Sequence, residues 1–332
     1  MTTKTCVIVG ASHAGSQLGF MLRQEGWEGR IILVGDERHL PYHRPPLSKD
    51  FLKGNKTLDN ILIRPASAYE KANIELKLGC AVKSIDRKQR VVVLATGEAI
   101  PYDKLALALG SRVRRVAIDG CDKKGVYYLR SADDIEAIKP FVAAGKRAVI
   151  IGGGYIGLET AAALRQLGMS VTVLEMMPRV LQRVTAPELS AFYTRIHKEE
   201  GVEIITDTSV IGIEGNASVQ AVIDAKGNRY EADLVIIGAG ILPNIELAQE
   251  AGLAVDNGIV VDAYACTSDA DIVAAGDCTK HLNPLYNIDL RLESVQNAND
   301  QAKVAAATLC GKQVAYNTLP WFWSDQYDLK LQ

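Results

Sequence analysis

An α/β fold built on two parallel sheets is what this sequence predicts, and two observations predict it. Near the middle of the 332 residues, Val149-Ile150-Ile151-Gly152-Gly153-Gly154-Tyr155-Ile156-Gly157-Leu158-Glu159 reads as a buried strand, a glycine turn and the start of a helix. About 140 positions earlier, the β-branched run at residues 5–9 leads into Gly10-Ala11-Ser12-His13-Ala14-Gly15 and a second helical stretch. Each unit is followed by an apolar strand that ends in a carboxylate. One glycine turn alone is weak evidence, but an internal repeat of strand, turn, helix and acidic strand end specifies two Rossmann-like dinucleotide-binding domains.

In the second copy Gly152, Gly154 and Gly157 fill the three places of G-x-G-x-x-G. The first makes the tight turn, the second lets backbone approach a pyrophosphate, and the third lets helix pack on strand. The helix N-terminus then offers N–H groups and a partial positive charge to the phosphates. Val171-Thr172-Val173-Leu174 ends in Glu175, twenty-three positions after Gly152. A carboxylate there accepts the ribose hydroxyls of NAD and repels the additional phosphate of NADP. Arg179 weakens that exclusion, and the balance favours NADH. In the first copy Gly10 and Gly15 match the first and third places, while Ser12 stands at the second. Residues 16–24 continue as a helix, and Ile31-Ile32-Leu33-Val34 leads to Gly35-Asp36-Glu37. Asp36 is the candidate for the adenosine ribose, with Glu37 second.

Pro41-Tyr42-His43-Arg44-Pro45-Pro46-Leu47-Ser48-Lys49-Asp50 follows, stiffened by its prolines into an extended wall suited to a planar ligand. Lys49 is expected just inside a helix, in or near its first turn, where a cation opposes the dipole and invites an anionic partner. A solvated surface lysine would read the same. Short strands occupy residues 74–102, and residues 105–109 form a buried parallel strand closed by Gly110. The polar Ser111-Arg112-Val113-Arg114-Arg115 marks a passage between domains. Residues 131–144 are expected as a helix, N-capped by Ser131 with acids in its first turn. Pro187 opens another helix, which Gly201 ends. Strands at 202–205, 219–230 and 234–237 precede Gly238-Ala239-Gly240-Ile241-Leu242-Pro243-Asn244, whose punctuation marks the return. Residues 272–275 form a strand running into Gly276-Asp277, a carboxylate suited to sugar-alcohol hydroxyls. Residues 294–309 form an alanine-rich helix whose N-terminus suits an anionic ring system. Residues 328–331 read as a strand without a partner, so a small C-terminal domain is expected to be cut short.

The chain is thus expected to comprise a first dinucleotide domain at 1–113 and 241–318, a second at 114–240, and the start of a small α+β domain at 319–332. The formal charge of −2 gives no general drive toward nucleic acid. No apolar run reaches the length that spans a bilayer, and the N-terminus enters a strand directly, so a cytoplasmic protein is expected. None of the six cysteines forms C-x-x-C, and the five histidines show no metal-ligand spacing.

Taken together, Arg44-Pro45-Pro46-Leu47-Ser48-Lys49, residues 152–159, Gly276-Asp277-Cys278 and Trp321-Phe322-Trp323-Ser324-Asp325-Gln326 resemble one family. It is the two-dinucleotide flavoprotein family that includes glutathione reductase. Within it, the likeness is to the ferredoxin reductases of cytochrome P450 and dioxygenase systems, and it covers essentially the whole chain. The resemblance implies FAD in the first site and NADH at the second. It assigns Gly10, Ala14, Gly15, Asp36, Arg44, Lys49, Val82, Arg130, Asp277 and Val295 to FAD. It assigns Gly152, Gly154, Gly157, Glu159, Glu175 and Gly240 to NAD. Lys49 is implied beside flavin N5 and paired with Glu159, giving both a role in hydride transfer by charge compensation. The sequence departs from the family at Ser12 and at Leu109. Disulfide-reducing members need cysteines near the flavin, and this sequence has none between Cys6 and Cys80. The exit left is one-electron transfer to a docked [2Fe–2S] ferredoxin, with Trp323 a candidate for the docking surface or equally for the core. Rivals are a rubredoxin- or nitrite-reductase-linked donor and a non-catalytic NADH sensor resembling apoptosis-inducing factor. A monomer or weak dimer, with no nucleic-acid or membrane partner, completes the expectation.

Overall fold

The computed structural model describes residues 4–332 and contains two compact units. The first comprises the chain up to His43, Ile61–Arg112 and Leu242–Phe322; the second comprises Arg44–Asn60, Val113–Ile241 and Trp323–Gln332.

The first unit is organised by a five-stranded parallel sheet in the order Ile272–Ala274, Lys104–Leu107, Thr5–Val9, Arg30–Val34, Ile74–Lys77. Its interior strands are continuous apolar runs because both faces are covered. Helices His13–Glu25 and Val295–Leu309 pack together against one face, through Leu18, Leu22, Ala302 and Ala305. The other face meets the antiparallel strands Val82–Asp86, Val91–Leu94 and Ala99–Pro101. The register pairs Val9 with both Val34 and Leu107, and Leu107 with Ala274. Gly10, Gly35-Asp36, Ala108 and Gly276-Asp277 therefore leave the sheet at one carboxyl edge, where open α/β sheets bind ligands.

The second unit repeats the plan, in the order Val202–Ile205, Ser170–Leu174, Arg147–Ile151, Leu234–Ile237, Val126–Tyr127, all parallel. Helix Tyr155–Gln166 follows the central strand, and the antiparallel sheet of Val210–Glu214, Ala221–Asp224 and Arg229–Glu231 supplies a second layer. The correspondence reaches single hydrogen bonds. Gly10 N–H donates to Val34 and Gly152 N–H to Leu174, both at 2.8 Å. Gly35 N–H donates to Lys77 and Glu175 N–H to Ile205, both at 2.9 Å.

Several local expectations change. The segment 44–60, assigned by sequence to the first domain, belongs to the second unit. Arg44 Nη1 donates to the Arg130 carbonyl at 2.7 Å, and the Lys139 ammonium lies 4.2 Å from the centre of the Phe51 ring. Lys49 does not open a helix: it ends the 3₁₀ turn Pro45–Ser48, so the dipole argument for its partner does not apply. The helix capped by Ser131 spans only Ala132–Ile138, with a 3₁₀ turn over Lys139–Phe141. Pro140 explains this, since it has no N–H to donate and its ring clashes with the preceding turn. The first helix starts at His13 rather than at residue 16. The terminal strand has a partner after all: Leu329–Leu331 pairs with Ser324–Gln326 as an antiparallel hairpin. No helix among the described residues is long and apolar enough to cross a membrane.

Candidate functional site

The two glycine turns are built alike. Gly10 and Gly152 have φ of +110° and +111°, a region costly for any residue with a Cβ. A Cβ on Gly15 would strike the Gly10 carbonyl, and one on Gly157 the Gly152 carbonyl, closer than the 3.0 Å that real Cβ atoms keep. These third-place glycines let each helix lie against its strand. The second place behaves differently. A Cβ on Gly154 would meet nothing within 4 Å, so the protein itself leaves that place open. Ser12, its counterpart, holds an extended backbone with φ −127°. The serine is therefore compatible with the turn and projects from it without backbone strain. Each helix then presents N–H groups that lack intrahelical acceptors. On this geometry the residues present fit one dinucleotide in each unit.

In the first unit, Asp36 is exposed, and its Oδ1 accepts only the N–H of Glu37 among the described residues. Glu37 is engaged by the Tyr42 hydroxyl at 2.5 Å, which leaves Asp36 the freer carboxylate for a ribose. Asp277 Oδ2 accepts from Ser111 Oγ at 2.8 Å. Ala14, Ala108, Ala275 and Ala298 form a cluster of small side chains around Gly276, whose added Cβ would come within 3.2 Å of Ala14. Val295 opens its helix behind the Ser294 cap, and Val82 opens a strand whose register shifts between Val82 and Ser84. Leu109 packs partly buried against the core, and its carbonyl accepts from Asn244 Nδ2 at 2.8 Å. Gln301 Oε1 accepts from Gly276 N–H and Thr279 Oγ1, both at 2.8 Å, bracing the turn before Asp277.

In the second unit, Glu175 does more than sequence suggested. Its Oε2 accepts the Gly153 N–H at 2.6 Å and its Oε1 the Met177 N–H at 2.8 Å. It thus braces the glycine turn as well as standing at the strand end. Arg179 is committed to Thr185 and Gln182 carbonyls and to Ser190 Oγ, at 2.9, 3.0 and 2.6 Å. That ties it away from a phosphate and removes the objection it raised to NADH. Gly240 lies in the crossing with φ +92°, and its carbonyl accepts from Arg114. Arg130 donates its N–H to Asp134 Oδ2, within the capping box that starts the following helix.

Lys49 and Glu159, 110 residues apart, are brought together at 2.6 Å with the carboxylate 5% exposed. Ser48 and Ser324 also donate to that carboxylate, at 2.6 and 2.7 Å. Neither serine was singled out by sequence, although each lies in a quoted motif. The six cysteines are free. Burial pushes the Cys6 thiol far up and the Cys278 thiol up to about 12, so neither offers a thiolate at neutral pH.

Residues 4–302 match the family model described as pyridine nucleotide-disulphide oxidoreductase. Putidaredoxin reductase CamA of Pseudomonas putida is 48% identical, over 98% of this chain and 79% of its own length. The anthranilate 1,2-dioxygenase system ferredoxin–NAD(+) reductase component of Burkholderia cepacia is 44% identical, over 100% and 82%. The reductase in the crystal structure of the covalent putidaredoxin reductase–putidaredoxin complex superposes with a TM-score of 0.96. It is 46% identical, over 99% of this chain and 81% of that one.

Proposed function

Because the chain belongs to the pyridine nucleotide-disulphide oxidoreductase family, we propose that it is an FAD-dependent NADH:ferredoxin oxidoreductase working in the cytoplasm. Electrons enter from NADH and leave singly to a [2Fe–2S] ferredoxin that feeds a cytochrome P450 or a ring-hydroxylating oxygenase. The observation that carries this reading is two dinucleotide cradles in a chain whose six cysteines are free, none of them between Cys6 and Cys80. The first helix and the loop after it contain no cysteine, and Cys6 and Cys278 are buried and protonated. The names of the relatives support the carrier: one reduces putidaredoxin, another serves a dioxygenase system through a ferredoxin.

FAD, when bound, supplies the conversion of a two-electron donor into single electrons. Gly10, Ala14, Gly15, Asp36, Val82, Asp277 and Val295 are the proposed contacts of the first unit. The second cradle, Gly152, Gly154 and Gly157 with Glu175 and Gly240, binds NADH. Glu175 selects NADH by charge and holds the turn that meets the pyrophosphate. Glu159 keeps the Lys49 ammonium in place, as a fixed cation for negative charge developing during hydride transfer. The helix capped by Ser294 adds partial positive charge at its N-terminus.

Anaerobic titration of the flavin-loaded protein with NADH, followed by oxidised [2Fe–2S] ferredoxin, tests the reading. Rapid bleaching of the visible flavin band and rapid recovery on adding the carrier are expected. Bleaching with a long-lived NAD complex that no iron–sulfur carrier or rubredoxin re-oxidises would replace it with the non-catalytic sensor.

A further inference from the structure

The Glu159 carboxylate collects more hydrogen bonds than its pairing with Lys49 requires. Ser324, which supplies one of them, is fully buried and lies on the C-terminal hairpin, 165 residues away in sequence. Its oxygen accepts in turn from Gln326 Nε2 at 3.2 Å. Gln326 Oε1 meets His197 Nε2 at 2.8 Å, and His197 Nδ1 meets the Tyr327 hydroxyl at 3.1 Å. All of these residues lie in the second unit.

The proton positions along this run are dictated by the chemistry of its members. An ionised carboxylate only accepts, so Ser324 donates to Glu159. The Ser324 oxygen then takes the Gln326 amide N–H, which leaves Gln326 Oε1 as an acceptor. His197 must therefore carry its proton on Nε2 and accept the Tyr327 O–H at Nδ1. One arrangement satisfies every group, with neutral His197 and every donor directed toward the Glu159 anion. Burial of His197 lowers its pKa and keeps it neutral. The hairpin is also strained to reach this position. Tyr327 has φ +57°, a left-handed conformation that bulky residues rarely adopt. Its ring rests against His197, with centroids 5.1 Å apart. A strained turn held by these contacts marks a placement that the surroundings over-determine.

We propose that Ser324 is a positioning residue: it fixes the Glu159 carboxylate, and through it the Lys49 ammonium, while Gln326, His197 and Tyr327 hold Ser324 in place. The inference rests on the function proposed above. A serine that only fastened the hairpin to the helix would affect stability without acting through Lys49.

The test uses the full, flavin-loaded chain in anaerobic stopped-flow mixing with NADH. Ser324→Ala is expected to lower the limiting rate of flavin reduction about tenfold and to leave the NADH Kd within about twofold. Ser324→Thr, which keeps the hydroxyl, is expected to restore the rate. In a Lys49→Met background Ser324→Ala should add no further loss, because the group through which it acts is gone. A second readout is independent of turnover: Glu159→Gln should speed amide hydrogen exchange across residues 324–331, by reciprocity of the coupling. A wild-type rate for Ser324→Ala overturns the inference. So do an equal loss in the Lys49→Met background, a failure of threonine to rescue, and unchanged exchange in Glu159→Gln. If Ser324→Ala does not fold, Gln326→Leu removes the N–H that orients Ser324 and should give about a threefold loss with the same dependence on Lys49. Failure of wild-type flavin to be reduced by NADH at all would instead sink the functional reading.

Discussion

Adding one methyl group to Gly157 should separate the two cradles experimentally. A Cβ there would lie 3.3 Å from the Gly152 carbonyl carbon and 3.4 Å from Ile150 Cγ2, and well inside contact with the Gly152 oxygen. Backbone cannot rotate away as a side chain can, so helix Tyr155–Gln166 must retreat from its strand by roughly 1 Å. That distance takes a 2.9 Å hydrogen bond beyond the reach of a useful one. The N–H groups at the helix start are the donors proposed for the NADH pyrophosphate. Losing one charge-assisted bond costs about 1.5–3 kcal/mol, so the Kd for NADH should rise about 10- to 150-fold. The overpacking itself should lower stability by about 1–3 kcal/mol. Gly15→Ala carries the same insult in the first unit, against the Gly10 carbonyl, and should empty the protein of flavin while sparing the second cradle. The assays are flavin absorbance after gel filtration for FAD and isothermal titration for NADH. A Gly157→Ala protein that binds NADH with wild-type affinity would refute the assignment of that turn to the nucleotide. A Gly157→Ala protein that loses FAD first would refute the division of labour.

Lys49→Met should slow flavin reduction by NADH at least tenfold while the bound FAD content stays close to wild type; rapid-mixing traces and flavin absorbance measure the two separately. Glu175→Ala should lower the ratio of kcat/KM for NADH over NADPH by about tenfold and also raise KM for NADH, because the carboxylate braces Gly153 as well as being the proposed ribose contact. Stability should fall on mild acidification. His197 and His281 are buried, with folded pKa values held below the ordinary 6.5 by desolvation. Their contribution is complete above about pH 6.5 and declines as pH drops toward the folded values, with a slope of up to about 1.4 kcal/mol per pH unit for each histidine. Urea midpoints measured from pH 7 to 5 should show this fall, and His197→Asn should flatten part of it. Alkylation of the native protein with iodoacetamide should leave Cys6 and Cys278 unmodified by mass spectrometry and electron transfer to ferredoxin intact.

What the sequence made legible was whatever backbone geometry demands locally. The glycine turns could be read because only glycine tolerates the φ of Gly10 and Gly152 or the close approach at Gly15 and Gly157, and Asp36 and Glu175 because a strand end fixes their place. Pro140 was equally readable as a helix stop, and the expected helix was too long because its cap and acidic first turn mark only where it starts. The terminal hairpin carries no such signal. Its turn uses Tyr327 rather than glycine or asparagine in the left-handed region, so nothing local announced that residues 324–326 and 329–331 pair. The partners of Glu159 come from residues 48, 49 and 324, and no periodicity links positions so far apart. The two-unit division follows the same logic. Residues 44–60 lie within the first domain in sequence, but Ser48 and Lys49 reach Glu159, Phe51 faces Lys139, and Arg44 reaches Arg130.

The repeat also explains where chemistry was added to a common cradle. Aligned on their first glycines, Gly152 answers to Gly10, Gly154 to Ser12, Gly157 to Gly15 and Glu159 to Gln17. The two sheets share the order of four strands and the hydrogen bonds that close their turns, so the backbone of the cradle alone cannot tell one nucleotide from another. The difference lies in side chains. The first copy has a neutral amide where the second has a carboxylate, and only the second has drawn in a lysine and two serines around that position. A buried carboxylate with no cation would be costly, and a buried lysine with no anion equally so. Glu159 and the segment that delivers Lys49 are therefore mutually dependent additions, and the hairpin that delivers Ser324 extends the set. On this logic Gln17→Glu, at a half-buried position of the first helix that lacks such partners, should destabilise the protein by several kcal/mol if the new carboxylate is driven inward and charged, or be tolerated if it turns to solvent. Either result is read by urea unfolding at pH 8 against wild type, and a stabilised variant would show that the carboxylate alone, without its partners, suffices at this place in the fold.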